Sequence, residues 1–193
     1  MTEKNDKYYL KLVLAGDRNA YGFIVKKYEQ AAFNLAYKML RNRETAEEIV
    51  QDGFLSAYRG LITFNYRSSF GTWLYRIIYN LSISYLRKKR IHFESLSNEQ
   101  NEIDLTYNVA PNDGLLKMES EDRKNFIGLA FGQLESEDRA IMTLFYNEEQ
   151  SVEKISEIMK ISRANVKIKL FRARKKLLIE LEKLLHEEAR VLL

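Results

Sequence analysis

Residues 151–177 read SVEKISEIMKISRANVKIKLFRARKKL. Ile155 and Ile158 recur at helical spacing in the first part of this stretch, and Val166, Leu170, Ala173 and Leu177 form one apolar face in the second. Ser151 stands as an N-cap for Val152 to Met159, and Ile161-Ser162 is a short turn before a long helix that opens at Arg163. Two amphipathic helices joined by a short turn have helix-turn-helix form, in which the N-terminal part of the second helix enters the DNA major groove. At about 100° per residue from Val166, the residues Ala164, Ile168, Arg172 and Lys175 fall near the far side, flanked by Asn165 and Lys169. Arg and Asn read guanine and adenine edges through paired hydrogen bonds, and Ile168 suits a thymine methyl or a sugar. Arg163, Lys167, Arg174 and Lys176 are better placed for phosphates. The spacing alone also fits a three-helix bundle with a basic surface helix.

Charge extends the reading outward. Between Lys160 and Lys176 there are eight basic residues and no acid, and between Gly53 and Phe93 seven basic residues and no acid. The net charge of +4 divides as +8 over residues 1–90, −6 over 91–123 and +2 over 124–193. Solvated helix faces usually mix both signs. Two acid-free basic blocks around an acidic segment therefore predict two polyanion-binding modules on a tether.

The first basic block contains FNYRSSFGTWLYRIIYNLSISYLRKKR, residues 64–90. A polar loop precedes an aromatic-rich helix that bears only positive charge. Aromatics interleaved with cations suit single-stranded DNA, whose bases stack and whose backbone needs neutralising. Asn65, Arg67, Ser68 and Ser69 are placed to hydrogen-bond an extruded base. Trp73 shares core spacing with Phe70 and Ile77, whereas Tyr66 lies in the polar loop and is the better stacking residue. Upstream, TAEEIVQDGFLSAY (residues 45–58) is an acid-bearing helix whose Glu48, Gln51 and Asp52 suit either a protein-docking face or a solvated one. Thr45 with Glu48 has the form of a capping box at its start.

The rest of the chain is helical too. Glycine and proline, 8 and 1 of 193 residues, are too few for a turn-rich β fold. Residues 8–42 keep three- and four-residue apolar spacing on either side of a Gly16-Asp17 turn, and 63–69 form a loop. The helix from Phe70 ends in Arg87-Lys88-Lys89-Arg90, where cations suit the dipole. Residues 91–119, with the one proline (Pro111), read as a flexible acidic linker. Helices then follow at Phe126–Leu134 and Glu137–Tyr146. The expected class is all-α: two small helical modules, 1–90 and 120–193, joined by that linker.

Exclusions narrow the function. There is no Cys, and the two His, His92 and His186, stand far apart, which disfavours a thiolate or histidine metal site and a nucleophilic triad. Carboxylates on predicted solvent faces, without a phosphate-cradling glycine motif, give no sign of a nuclease. No enzyme and no cofactor are expected. No apolar run reaches the ~18 residues of a membrane span, and the start MTEKNDKYY lacks a signal-peptide stretch, so a cytoplasmic protein without membrane insertion is expected.

Residues 45–90 resemble region 2, and residues 134–178 resemble region 4, of the extracytoplasmic-function (ECF) sigma factors of the bacterial sigma-70 family. The carriers are VQDGFLSAY, then FGTWLYRIIYN at the matching distance, and the helix-turn-helix. The resemblance implies an alternative sigma factor that binds core RNA polymerase and directs promoter recognition, melting and initiation. The alternative is a helix-turn-helix regulator acting alone. Glu48, Gln51 and Asp52 would dock on the β′ clamp helices. Asn65, Tyr66, Arg67, Ser68, Ser69, Thr72, Arg76 and Asn80 would melt and read the −10 element on the non-template strand. Arg163, Asn165, Lys167, Ile168, Lys169 and Arg172 would read the −35 element, with region 4 also touching the β flap. An anti-sigma factor is the expected regulatory partner. Gly53 departs from the family pattern, and a helical glycine costs about 1 kcal/mol against alanine, which predicts a locally weak docking helix.

Overall fold

Asn5 is the N-cap of the first helix, its side chain accepting from the Lys7 amide at 3.1 Å. The computed structural model describes residues 5–96 and 120–191. Helix α1 (Asp6–Leu14) ends before Gly16, whose φ of 103° suits glycine, and the Asp17 side chain accepts from the amides of Asn19 and Ala20 as α2 (Ala20–Leu40) begins. Arg41, left-handed at φ 55°, closes α2. Helix α3 (Arg43–Gly60) follows at once and runs into a 3₁₀ turn, Leu61–Thr63. Its cap is Asn42, which accepts from the Thr45 amide at 2.8 Å, so the helix starts before the expected Thr45. Asparagine is the stronger cap, and Glu47, four residues past Arg43, adds an ion pair of 2.8 Å.

Helix α4 (Phe70–Leu96) continues six residues beyond the basic tetrad, so the first residues of the expected linker are helical. Residues 97–119 lie outside the described residues. The second half comprises α5 (Ser120–Gly132), α6 (Ser136–Met142) with a π-helical turn (Thr143–Asn147), α7 (Val152–Met159) and α8 (Arg163–Val191). Ser151 caps α7 as expected, accepting from the Lys154 amide. There is no strand among the described residues.

Leu10, Ile24, Leu35, Met39, Leu74 and Ile78 fill the core of the first module, and Ile141, Leu144, Ile155, Ile158, Val166 and Leu170 that of the second. Gly53 is buried where α3 crosses α4, and a Cβ there would stand 2.1 Å from Ile78 Cδ1. Beside its propensity cost, the glycine has a packing role that the sequence did not show: it permits the close approach of α3 to α4. The two cores meet. α7 lies along α4 and α6 against α2, and the buried side chains form one continuous cluster from Leu10 to Ala173.

Candidate nucleic-acid interface

The loop between the 3₁₀ turn and α4 is built by short side chains. Asn65 Oδ1 accepts from the Arg67 amide at 3.2 Å, which turns the chain back on itself. Ser69 Oγ accepts from the Thr72 amide at 3.1 Å and lies 2.8 Å from the Thr72 hydroxyl, fixing the start of α4. Between these anchors Tyr66 adopts φ 57°, an uncommon conformation for an aromatic residue, and remains 42% exposed. Phe64 stacks on Trp73 at 4.7 Å between centroids, and Tyr66 tilts on Phe64 at 4.8 Å. Lys7 of α1 stands 5.7 Å from the centre of the Tyr66 ring. A stacked aromatic platform thus carries one outward ring beside Arg67 and Lys7.

The residues expected around this loop divide into two groups. Asn65, Tyr66, Arg67, Ser69 and, on α4, Asn80 are exposed, while Ser68 and Arg76 are partly so. Thr72 is 3% exposed and its hydroxyl engages Ser69, so it shapes the loop rather than facing solvent. Trp73 is half-buried against Phe64, consistent with its core spacing. Sequence reasoning passed over Phe64 and Lys7. Phe64 lay within the quoted stretch, but its role as platform depends on how the loop folds over α4. Lys7 arrives only through the packing of α1, which Asp6 ties to α2 by contacts of 2.6 Å with both Lys27 and the Tyr28 hydroxyl.

The second surface is α8. Ser162 caps it, accepting from the Asn165 amide at 3.2 Å. Lys160, left-handed at φ 55°, makes the turn from α7, and Ser156 Oγ donates to the Ile161 carbonyl at 2.6 Å to hold it. Val166, Leu170 and Ala173 face inward, leaving Arg163, Asn165, Lys167, Ile168 and Arg172 exposed together. Lys169 is half-buried and paired with Glu137 of α6 at 2.7 Å. Lys176 pairs with Asp138 at 2.6 Å, and this hydrogen bond, with the carboxylate's charge, holds its pKa above the usual lysine value. These two lysines brace α8 on α6, so the outward cations are the others. Phe171, 66% exposed, continues the apolar strip begun by Ile168, which the sequence reading had not singled out.

Glu48, Gln51 and Asp52 all lie exposed on α3. Gln51 borders an open groove of about 880 Å³ between α2 and α3, whose apolar lining includes Val25, Val50, Phe54 and Leu55. The Tyr21 hydroxyl donates to the Phe54 carbonyl at 2.7 Å, and burial raises its pKa. No group of acids and histidines suited to a metal ion occurs among the described residues, and no helix among them is long and apolar enough to cross a membrane.

The Sigma-70 region 2 family matches residues 24–91, and the Sigma-70 region 4 family matches residues 127–177. The ECF RNA polymerase sigma factor SigW of Bacillus subtilis is 34% identical over 175 residues, covering 89% of this chain and 94% of that protein. The chain belongs to the ECF sigma factors. It is an alternative sigma factor of RNA polymerase, and not an enzyme. The RNA polymerase sigma-H factor of Pseudomonas aeruginosa is similar over nearly the full length, at 29% identity, covering 97% of this chain and 99% of that one. Among solved structures, CnrH in complex with the cytosolic domain of CnrY shares the fold with a TM-score of 0.65 at 20% identity, over 92% of this chain and 97% of that one. RpoE of Bartonella quintana, solved with the anti-sigma factor NepR, gives 0.64 at 21%, over 84% and 96%. The matched families leave out α1, which supplies Lys7 to the loop.

Proposed function

We propose that this sigma factor divides promoter recognition between its two surfaces. Residues 1–90 take the melted −10 strand. Asn65, Arg67, Ser68 and Ser69 hydrogen-bond an extruded base, and Tyr66 stacks on a base of the strand. Arg76 and Asn80 continue the track along α4, with Thr72 holding the loop in shape. Residues 120–193 take the −35 duplex. Asn165 and Arg172 read base edges, Arg163 and Lys167 hold phosphates, and Ile168 makes apolar contact. Lys169 contributes through its position on α8 and its pair with Glu137. The observation that carries this reading is the outward Tyr66 ring on a stacked platform among cations.

Glu48, Gln51 and Asp52 form the docking face for the β′ clamp helices, beside the α2–α3 groove, and region 4 meets the β flap. The protein acts in the cytoplasm, with the polymerase. An anti-sigma factor is its regulatory partner; the complexes of CnrH with CnrY and of RpoE with NepR support that reading. Run-off transcription with bacterial core polymerase, followed by mapping of start sites, tests the proposal. Specific initiation that depends on Tyr66 and Arg172 is the expected result. Specific duplex binding without any complex with core enzyme would point instead to a regulator acting alone.

A further inference from the structure

A second group of stacked rings stands on α1 and the start of α2. Tyr8 lies edge-on to Tyr9 at 5.3 Å between centroids, and Tyr9 stacks on Phe23 at 4.8 Å and 20°. Tyr8 is 43% exposed and Phe23 58%. The arrangement repeats that of the loop, where Tyr66, 42% exposed, tilts on Phe64 and Phe64 stacks on Trp73. In each case an outward ring is backed by a stacked pair. Lys7 joins the two groups, since it precedes Tyr8 in the chain and lies 5.7 Å from the centre of the Tyr66 ring. Leu10 and Val13 turn into the core, which leaves Lys7, Tyr8, Lys11 and Leu14 on the outside of α1. The seat of α1 beside the loop is also fixed. Asp6 accepts from the Tyr28 hydroxyl at 2.6 Å, the Tyr28 ring lies 5.7 Å from that of Phe70, and Phe70 lies 6.1 Å from Phe64. A Cβ on Gly71 would stand 2.8 Å from the Tyr28 ring, so α2 and the start of α4 meet closely there.

We propose that α1 with Phe23 is a second platform for single-stranded DNA: a strand leaving Tyr66 stacks a further base on Tyr8, while Lys7 and Lys11 hold its phosphates. The inference rests on the proposed reading of the Tyr66 loop as a single-strand site. Exposed rings grouped together mark a contact surface. Charge selects what the contact is. Asp6 is the one acid of α1, and Lys27 and Tyr28 both engage it. Residues 7–16 carry no acid, and residues 18–28 add Arg18, Lys26 and Lys27 without one. Lys7, Lys11 and Lys26 are all exposed around the rings. An apolar partner uses rings without cations, and duplex DNA keeps its bases stacked on one another. A single strand uses both, because its bases present open faces and its backbone presents negative charge. Lys7 and Lys11 share a face one helical turn apart, about 6 Å along the axis, so they hold successive points of one strand.

Fluorescence anisotropy tests this with labelled oligothymidylates of about 4 and about 12 nucleotides, titrated with the full-length chain. Tyr8→Ala should weaken binding of the longer probe about tenfold. The shorter probe should lose no more than about twofold, because a short strand still has the Tyr66 loop. Tyr8→Leu keeps apolar bulk on Tyr9 without a stacking face and should lose as much as Tyr8→Ala, whereas Tyr8→Phe should retain most of the affinity. Lys7→Gln and Lys11→Gln should each flatten the slope of log affinity against log salt by about 0.7 for the longer probe. Wild-type affinity of Tyr8→Leu for the longer probe overturns the inference, as do unchanged salt slopes in both lysine variants. Tyr8 variants that lose core-polymerase binding but no oligonucleotide binding would make this face a protein contact and overturn it too. Tyr66→Ala separates the two ideas. If it binds both probes as the wild type does while Tyr8→Leu loses the longer one, the loop reading fails and the α1 platform stands. A loss in Tyr66→Ala with none in Tyr8→Leu keeps the loop reading and removes the platform.

Discussion

Replacing Gly53 with alanine sets two known effects against each other. In an exposed helix the change stabilises by about 1 kcal/mol, because glycine loses more backbone entropy on folding. Here the added Cβ would lie 2.1 Å from Ile78 Cδ1, 3.3 Å from Ile78 Cγ1 and 3.9 Å from Leu81 Cδ1. Ile78 has no exposed surface, so its side chain must leave its rotamer or α3 must lift from α4. Overpacking of this kind costs about 1–3 kcal/mol. The balance is a net loss of about 1 kcal/mol, or roughly 2–4 °C in Tm for a chain of this size. Ile78→Val removes the clashing Cδ1 and alone costs about 0.5–1.5 kcal/mol. With both changes, the two side chains no longer compete, and the double variant should be more stable than the sum of the singles by about 1 kcal/mol or more. Urea unfolding followed by circular dichroism gives all four stabilities. A stabilising Gly53→Ala, or strict additivity with Ile78→Val, would refute the close-packing account.

Two further expectations concern the surfaces, and a third a partly buried carboxylate. Tyr66→Ala should weaken binding to single-stranded −10 DNA by about 1–3 kcal/mol, while Tyr66→Phe retains most of it, since the ring face supplies the stacking; equal losses in a fluorescence titration would rule stacking out. Arg172→Ala should weaken −35 duplex binding by about 1–3 kcal/mol without changing core-polymerase binding, and undiminished transcription across promoters would remove that role. Burial raises the pKa of Glu148 above its ordinary 4.5, with the Asn34 hydrogen bond opposing. The native state then holds the proton more tightly than the unfolded one, so stability falls as pH rises from the unfolded value through the raised native one. Glu148→Gln keeps an acceptor for Asn34 without the charge. It should raise Tm relative to wild type at pH 7, with the difference shrinking towards pH 4, and a pH-independent difference would contradict this.

The helices were legible because apolar spacing is a local property. Val166, Leu170 and Ala173 face inward as their spacing predicted, and Ser151 caps α7. The edges were less so. Asn42 outcompetes Thr45 as a cap, and α4 continues past the cations that suit a helix end. For the two proposed DNA surfaces, residue type and loop position pointed to Tyr66 and Arg67, whereas the inward turn of Thr72 and the ion pair of Lys169 required knowing which neighbours were near.

By itself the sequence determined the all-α class and the two cationic surfaces. Those follow from periodicity and from which side chains stand together along the chain. Only the tertiary structure decided that Gly53 is a packing residue and that Lys7 belongs beside Tyr66. It alone placed Arg139 on the carbonyls of a helix about a hundred residues earlier. A clash with Ile78, a ring within reach of an ammonium and a helix end in need of donors are relations between distant segments. Nothing in local spacing encodes them, because each exists only once the helices have packed.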